Sequence, residues 1–241
     1  MAATDDAAAE FKAVIDLLWT PPATPRRGPK PGLTLSAIAQ AGIDIADADG
    51  LAAVTMQRVA EALGVTKMAL YRYVGSKTEL VALMTDAGLG QPLPVDDTGD
   101  WRSRLDAWTL ATFERFLRHP WSLETTAGVR VMGPNELGWT EQALSALNGT
   151  GLHGSEKFDV VATLAGHARN IAQQAGAAVS TSPERGLESA FALVLRGREE
   201  QFPALVAAIE STAVNGGQDQ ALRFGLDRIL DGIELLINAR S

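Results

Sequence analysis

Apolar positions recur at helical spacing along nearly the whole chain, and nowhere do they alternate with the period of two that a half-buried strand requires. Residues 7 to 19 place Phe11, Ile15, Leu18 and Trp19 on one helical face before Pro21 and Pro22 stop the helix. Leu35, Ile38, Gly42 and Ile45 mark the inner face of a second helix that ends at Asp49, with Gly50 free to adopt a left-handed C-cap. Thr55 then stands at an N-cap position, and Met56, Val59, Ala60 and Leu63 follow as the apolar stripe of a helix of two turns. Gly64 and Val65 make a tight turn, Thr66 offers another N-cap, and Ala69, Leu70, Tyr73 and Val74 line a further short helix. Ser76 to Glu79 reads as a capping box, and Leu80, Leu83, Met84 and Ala87 continue the stripe of the helix it opens.

The segment 88–100, GLGQPLPVDDTGD, combines glycine, proline and acid without periodicity and is the expected domain boundary. Beyond it Trp101, Leu105, Trp108, Thr112 and Phe116 line a helix running up to Pro120, and Pro134 opens another that fades at Asn148 and Gly149. Helices are further expected at about 121–132, 155–180, 184–196 and 203–213. In the last helix, 218–238, Leu222, Leu226, Ile229, Ile233 and Leu236 alternate steps of four and three, the seam of a helical bundle.

Composition narrows the class. An apolar fraction of 46% over 241 residues suits a folded chain rather than a disordered one. There is no cysteine, which removes disulfides and thiolate metal sites, and His119, His153 and His167 are too dispersed to suggest a metal centre. The start MAATDDAAAE has acids where a signal peptide carries positive charge, and no apolar run approaches the ~18 residues of a membrane span, so the expectation is a cytoplasmic protein with no membrane partner. The net charge of −8 is unevenly held. Residues 26–80 carry seven Lys and Arg against five Asp and Glu, whereas residues 81–241 carry thirteen against twenty. Residues 66–77 hold Lys67, Arg72 and Lys77 with no acid, a local footprint for an anion.

Two helices of about two turns each are too short to stand alone, so they make sense only packed with the helix before them. A DNA reader uses such a trihelical unit by laying its last helix in the major groove. Leu70 and Val74 would hold that helix down while Thr66, Lys67, Met68, Arg72 and Tyr73 face outward. Lys67 is then the candidate donor to guanine, Met68 and Ala69 the candidates for a thymine methyl, and Thr55, Tyr71 and Lys77 the candidates for phosphates. The stretch TPRRGPKPG is either a solvated linker or an arm whose Arg26, Arg27 and Lys30 follow a minor groove. Residues 7–19 form either a docked helix or a frayed end. Trp108, Phe113, Trp121 and Trp139 are candidates for an apolar ligand pocket or for plain core, and Arg130, His167 and Asn170 are polar groups on apolar helices that need partners, a ligand among the options. No P-loop, dinucleotide-binding glycine pattern, HExxH or nucleophile elbow is present, so no enzyme class is supported and no cofactor is expected beyond a small-molecule effector.

The string LAAVTMQRVAEALGVTKMALYRYVGSKTELVALM, residues 51–84, closely resembles the DNA-binding domain of the TetR (tetracycline-repressor-like) family. The resemblance rests on Thr55, Val59, Ala60, Leu63, Gly64 and Val65, then Leu70 and Tyr71 in the LYRY position, then Lys77 and Leu80. Gln57 stands where the family often has an arginine, keeping hydrogen-bonding ability without the charge, and Arg58 is the neighbouring cation. The resemblance implies an all-α fold in which an N-terminal helix-turn-helix domain is joined by a linking helix to a C-terminal helical ligand-binding and dimerisation domain. The implied division is 1–32 for the amphipathic helix and basic arm, 33–90 for the DNA-binding domain with its linking helix, and 91–241 for the regulatory domain. It further implies a homodimer formed by the helices near 155–180 and 218–238, through Phe158, Ala162, Leu222, Leu226, Ile229, Ile233 and Leu236. The implied partners are a palindromic double-stranded DNA operator and a small apolar or amphipathic ligand that releases the protein from it.

Overall fold

Thr34 accepts a hydrogen bond from the Ala37 amide at 3.1 Å and so starts the helix Leu35–Asp49, which Gly50 ends at a φ of +81° where a side chain would be strained. The same device recurs along the head of the molecule. Thr55, Thr66 and Ser76 each accept from an amide three residues on, opening the helices that follow them. The computed structural model describes residues 2–20, 33–92, 94, 99–177, 191, 193–215 and 220–240, and no strand occurs among them. In chain order the helices are α1 (Ala2–Trp19), α2 (Leu35–Asp49), α3 (Met56–Ala62), α4 (Lys67–Tyr71), α5 (Lys77–Leu89), α6 (Trp101–Arg118), α7 (Ser122–Thr125), α8 (Pro134–Ala146), α9 (Gly154–Ala177), α10 (Pro203–Asn215) and α11 (Ala221–Asn238). None of the described helices is long and apolar enough to cross a membrane.

The chain divides into two compact units, residues 1–99 with 118–146, and residues 100–117 with 147–241. In the first unit Ile38, Val54, Val59, Leu70, Val74, Leu80 and Met84 are fully enclosed in one core. Each short helix contributes its single apolar stripe there, and burial of such side chains at roughly 25 cal/mol per Å² is what holds helices of five and seven residues in place. Helix α5 lies at the centre of the unit, packed by α1, α2, α7 and α8.

The segment 118–146 joins this unit through two carboxylates. Asp47, on α2, accepts from the Trp121 indole at 2.7 Å and meets the His119 ring at 2.9 Å. Asp86, on α5, is buried and accepts from the Asn135 and Glu136 amides at the start of α8, at 3.0 and 3.2 Å, while the Asn135 side chain donates to the Asp86 carbonyl. Gly133 leaves room for that carboxylate, since a Cβ there would overlap it. The compact units therefore run differently from a division at residue 90, because these carboxylates tie 118–146 to the head.

In the second unit Val160, Val161, Leu164, Ala168 and Ala172 of α9 are buried, as are Leu226, Leu230, Ile233 and Ile237 of α11, and the two helices pack together. Arg102 donates to Asp231 at 2.6 Å, and Arg223 bonds Asp106 and Asp227, linking α6 to α11.

Several sequence expectations change. On α1 the inward residue is Val14, whereas Phe11, Ile15 and Trp19 are partly exposed, because α5 packs against the flank of the expected face. The helix expected over 121–132 is the single turn α7, and residues 126–133 are not helical, with Gly128 at a φ of +76°. Helix α4 closes at Tyr71 rather than continuing, and the Tyr73 amide bonds the Leu70 carbonyl three residues back, a tighter turn than the α-helical four. Most of the helix expected at 184–196, and the arm residues Arg26, Arg27 and Lys30, lie outside the described residues.

Candidate nucleic-acid interface

Helices α3 and α4 are joined by Leu63–Thr66, with Gly64 at a φ of +65° and the Val65 amide returned to the Ala60 carbonyl. This turn brings the first residues of α4 to the surface while Leu70 (0% exposed) and Val74 pin its underside to the core. What remains outward is Met68, 75% exposed, with Lys67, Tyr71, Arg72 and Tyr73 also exposed and Ala69 half-buried. Among the described residues Lys67, Arg72 and Lys77 make no ion pair. The Lys67 ammonium lies 5.7 Å from the centre of the Tyr71 ring, so this cation rests on an aromatic face rather than on an acid. Three cations and two phenol hydroxyls share an exposed surface, which is the chemistry that meets phosphates and base edges.

The neighbouring candidates are differently placed. Thr55 and Thr66 act as helix caps, their oxygens accepting at 3.1 and 3.2 Å, which leaves each hydroxyl hydrogen to donate. Gln57 donates to Glu61 at 2.6 Å along α3, and Arg58 pairs with Asp49 at the end of α2. Both Arg58 and Asp49 are nearly half exposed, so the pair is worth at most about 1 kcal/mol and exchanges readily for a phosphate. Lys77 is the first residue of α5, following the Ser76 cap. The capping box there is displaced by one residue: Glu79 accepts from the Gly75 amide at 2.9 Å rather than from that of Ser76.

The seven candidate ligand residues fall on both units. In the first, Trp121 belongs to the core with its indole held by Asp47, and Trp139 is buried with its indole donating to the Gly90 carbonyl at 2.9 Å. Arg130 pairs both terminal nitrogens with Glu136. In the second unit Trp108 is buried, Phe113 half-buried, and Asn170 exposed on α9, while His167 sits with Nε2 3.0 Å from the Leu222 carbonyl over the flank of Gly225. Among the described residues no cluster of His, Asp and Glu is arranged to hold a metal ion.

The seven candidate dimer residues also separate. Leu226 and Ile233 are enclosed within their own unit and are removed from a free face, Leu222 and Ile229 are half-buried, and Phe158, Ala162 and Leu236 are exposed. The heptad-like spacing could not tell a seam facing the chain's own α9 from one facing a second copy, since both bury the same period. Off that seam, Phe224 and Leu235 are 65% and 73% exposed.

Residues 38–84 match the bacterial regulatory proteins of the tetR family, and residues 93–237 match the tetracyclin repressor-like C-terminal domain. An HTH-type transcriptional repressor, DrrR1 of Streptomyces coeruleorubidus, is 32% identical over 243 aligned positions, covering 96% of this chain and 88% of that one. The fold superposes on apo ActR of Streptomyces coelicolor with a TM-score of 0.72 at 23% identity, covering 88% of this chain and 99% of ActR. It also superposes on ActR in complex with actinorhodin, with a TM-score of 0.68 at 26% identity and coverage of 83% and 94%. Matched over both its reader and its C-terminal region, this chain belongs to the TetR family and is a DNA-binding transcriptional regulator.

Proposed function

We propose that the protein is a cytoplasmic homodimeric repressor that holds a palindromic operator and is released from it by a small molecule. The observation that carries this reading is the reader surface at α4, where an apolar underside is fully buried and Lys67, Met68, Tyr71, Arg72 and Tyr73 are left outward with no acidic partner among the described residues. Thr66, Lys67, Met68, Ala69, Arg72 and Tyr73 read base edges, Thr55, Tyr71 and Lys77 meet phosphates, and Gln57 and Arg58 join them once their intramolecular partners are exchanged. Residues 33–90 serve as the DNA-binding domain and 91–241 as the regulatory and dimerisation domain.

Dimerisation is supported by the outer faces of α9 and α11. Phe158, Ala162 and Gly166 recur every four residues on α9, and Phe224, Gly232 and Leu235 lie exposed on α11. A Cβ at Gly166 or Gly232 meets nothing within 4 Å, so both positions are open to a close helix from a second copy. Ligand release is supported by ActR, a relative in fold, which is known bound to actinorhodin and to (S)-DNPA. In this chain Trp108 and Phe113 are the aromatic candidates in the second unit for an apolar or amphipathic effector, beside Trp121 and Trp139 in the first.

Selection of binding sites from random double-stranded DNA, followed by gel-shift titration at rising salt, tests the reading. An inverted repeat is expected to be enriched, bound at least about a thousandfold more tightly than random sequence, with affinity falling steeply as salt rises. Equal retention of all sequences overturns it.

A further inference from the structure

The amphipathic helix α1 has no part in the reader, yet it is firmly docked. Val14 is buried against α5, and the Trp19 indole donates to the Met132 carbonyl at 3.1 Å, fastening the end of α1 to the segment 126–133. That segment is itself held by the Arg130–Glu136 pair and by Thr125, whose hydroxyl receives the Thr85 hydroxyl of α5 at 2.8 Å. Between these three walls lies a cavity of about 220 Å³.

Its apolar lining comes from Phe11 and Val14 of α1, Val81 and Ala82 of α5 and Val131 of the segment, with Thr78, Thr85 and Thr125 between them and Val129 exposed at the mouth. Two ionised side chains reach it. Arg130 is charge-neutralised by the bidentate contact with Glu136, which leaves its Nε buried with no hydrogen-bond partner among the described residues. Glu10 stands exposed at the rim and, among the described residues, makes no ion pair. The charge left over at the cavity is therefore negative, carried by one carboxylate beside an apolar chamber.

We infer that the cavity between α1, α5 and residues 125–131 is a binding site for a small lipophilic cation, an aromatic or alicyclic ammonium whose ring enters among Phe11, Val81 and Ala82 and whose charge faces Glu10. The volume lies just below the ~300 Å³ at which drug-sized pockets begin, so the occupant is a compact molecule or one ring of a larger one. Because one wall is α5, which begins at the Ser76 cap beside the reader, an occupant fastens α1 to the helix that carries Lys77. The site shares no residue with the effector candidates Trp108 and Phe113 proposed above in the second unit.

Isothermal titration of the full chain, without DNA, with 1-naphthylmethylammonium and with its neutral counterpart 1-naphthylmethanol tests this. One ammonium per chain is expected to bind, more tightly than the alcohol. Glu10→Gln is expected to weaken the ammonium roughly threefold to fivefold, as suits an exposed ion pair, and to leave the alcohol unchanged. Ala82→Phe, which fills the chamber, is expected to abolish both. The inference is overturned if cation and alcohol bind equally, if neither binds, or if Ala82→Phe keeps wild-type affinity while melting as a folded protein. Should Ala82→Phe not fold, Glu10→Gln decides alone, since its side chain is exposed: an unchanged ammonium affinity overturns the site.

Discussion

Lys67, Tyr71 and Lys77 lie close in sequence, but the local structure places them differently. Lys67 is the first residue of α4 and rests over the Tyr71 ring, at the end that a recognition helix points into the groove, whereas Lys77 starts α5 beyond the turn. Lys67→Ala is expected to cost about 1–3 kcal/mol at one position of each half-site and to relax base preference there. Lys77→Ala is expected to weaken binding to all sequences alike and to lower the slope of log affinity against log salt by about two, one phosphate per subunit. Tyr71→Phe removes a hydroxyl and no charge, so it is expected to lower affinity uniformly while leaving that slope unchanged. Gel shifts on the selected operator and on single-base variants, over a salt series, separate the three. A uniform loss for Lys67→Ala would refute its readout role.

At the scale of elements, the joint that matters is the one between α5 and α8. Asp86 caps α8 from the last turn of α5, so the helix that begins beside the reader is tied to residues 134–146 by one buried carboxylate. Burial pushes the Asp86 carboxyl above its ordinary 3.8, outweighing the two amides that pull it down. A carboxyl raised in the folded state binds its proton more tightly there than in the unfolded chain. Its contribution to stability is therefore fully present below about pH 3.8 and is lost as pH rises through the folded-state value. Asp86→Asn keeps an oxygen for the two amides but does not titrate. The stability of the wild type relative to Asp86→Asn is thus expected to be greatest near pH 3.5 and to decline as the pH is raised towards 7, which paired thermal melts measure. A difference that grows with pH would show that the amides, not burial, dominate at this carboxyl.

At the scale of the whole molecule, function depends on two readers held at a fixed spacing, so the dimer face is where a distant change reaches DNA. Leu235 and Phe158 are large, apolar and exposed on the two helices proposed to supply that face. Leu235→Arg is expected to yield monomers in sedimentation velocity at micromolar concentration and to lower operator affinity by at least about tenfold, with melting temperature little changed because the side chain is 73% exposed in its own chain. Phe158→Arg is expected to act in the same direction. A Leu235→Arg protein that stays dimeric would place the interface elsewhere.

The helical class, the caps at Thr55, Thr66 and Ser76, and the pairing of two short helices around Gly64 were legible in the sequence, because each depends on residues within a turn or two of one another. The outward set at α4 was legible for the same reason: once Leu70 and Val74 are inward, helical geometry leaves Lys67, Met68 and Arg72 nowhere else to face. The inward side of α1, the break of the helix after Thr125, and the destination of Trp121, Trp139, Leu226 and Ile233 were not legible, since an amphipathic stripe records that a face is covered and not by what. Asp47 and Asp86 show the same limit from the polar side. Their partners lie 72 to 74 and 49 to 50 residues away, and only the tertiary structure brings Asp47 to an indole and the buried Asp86 to the amides that make its burial tolerable.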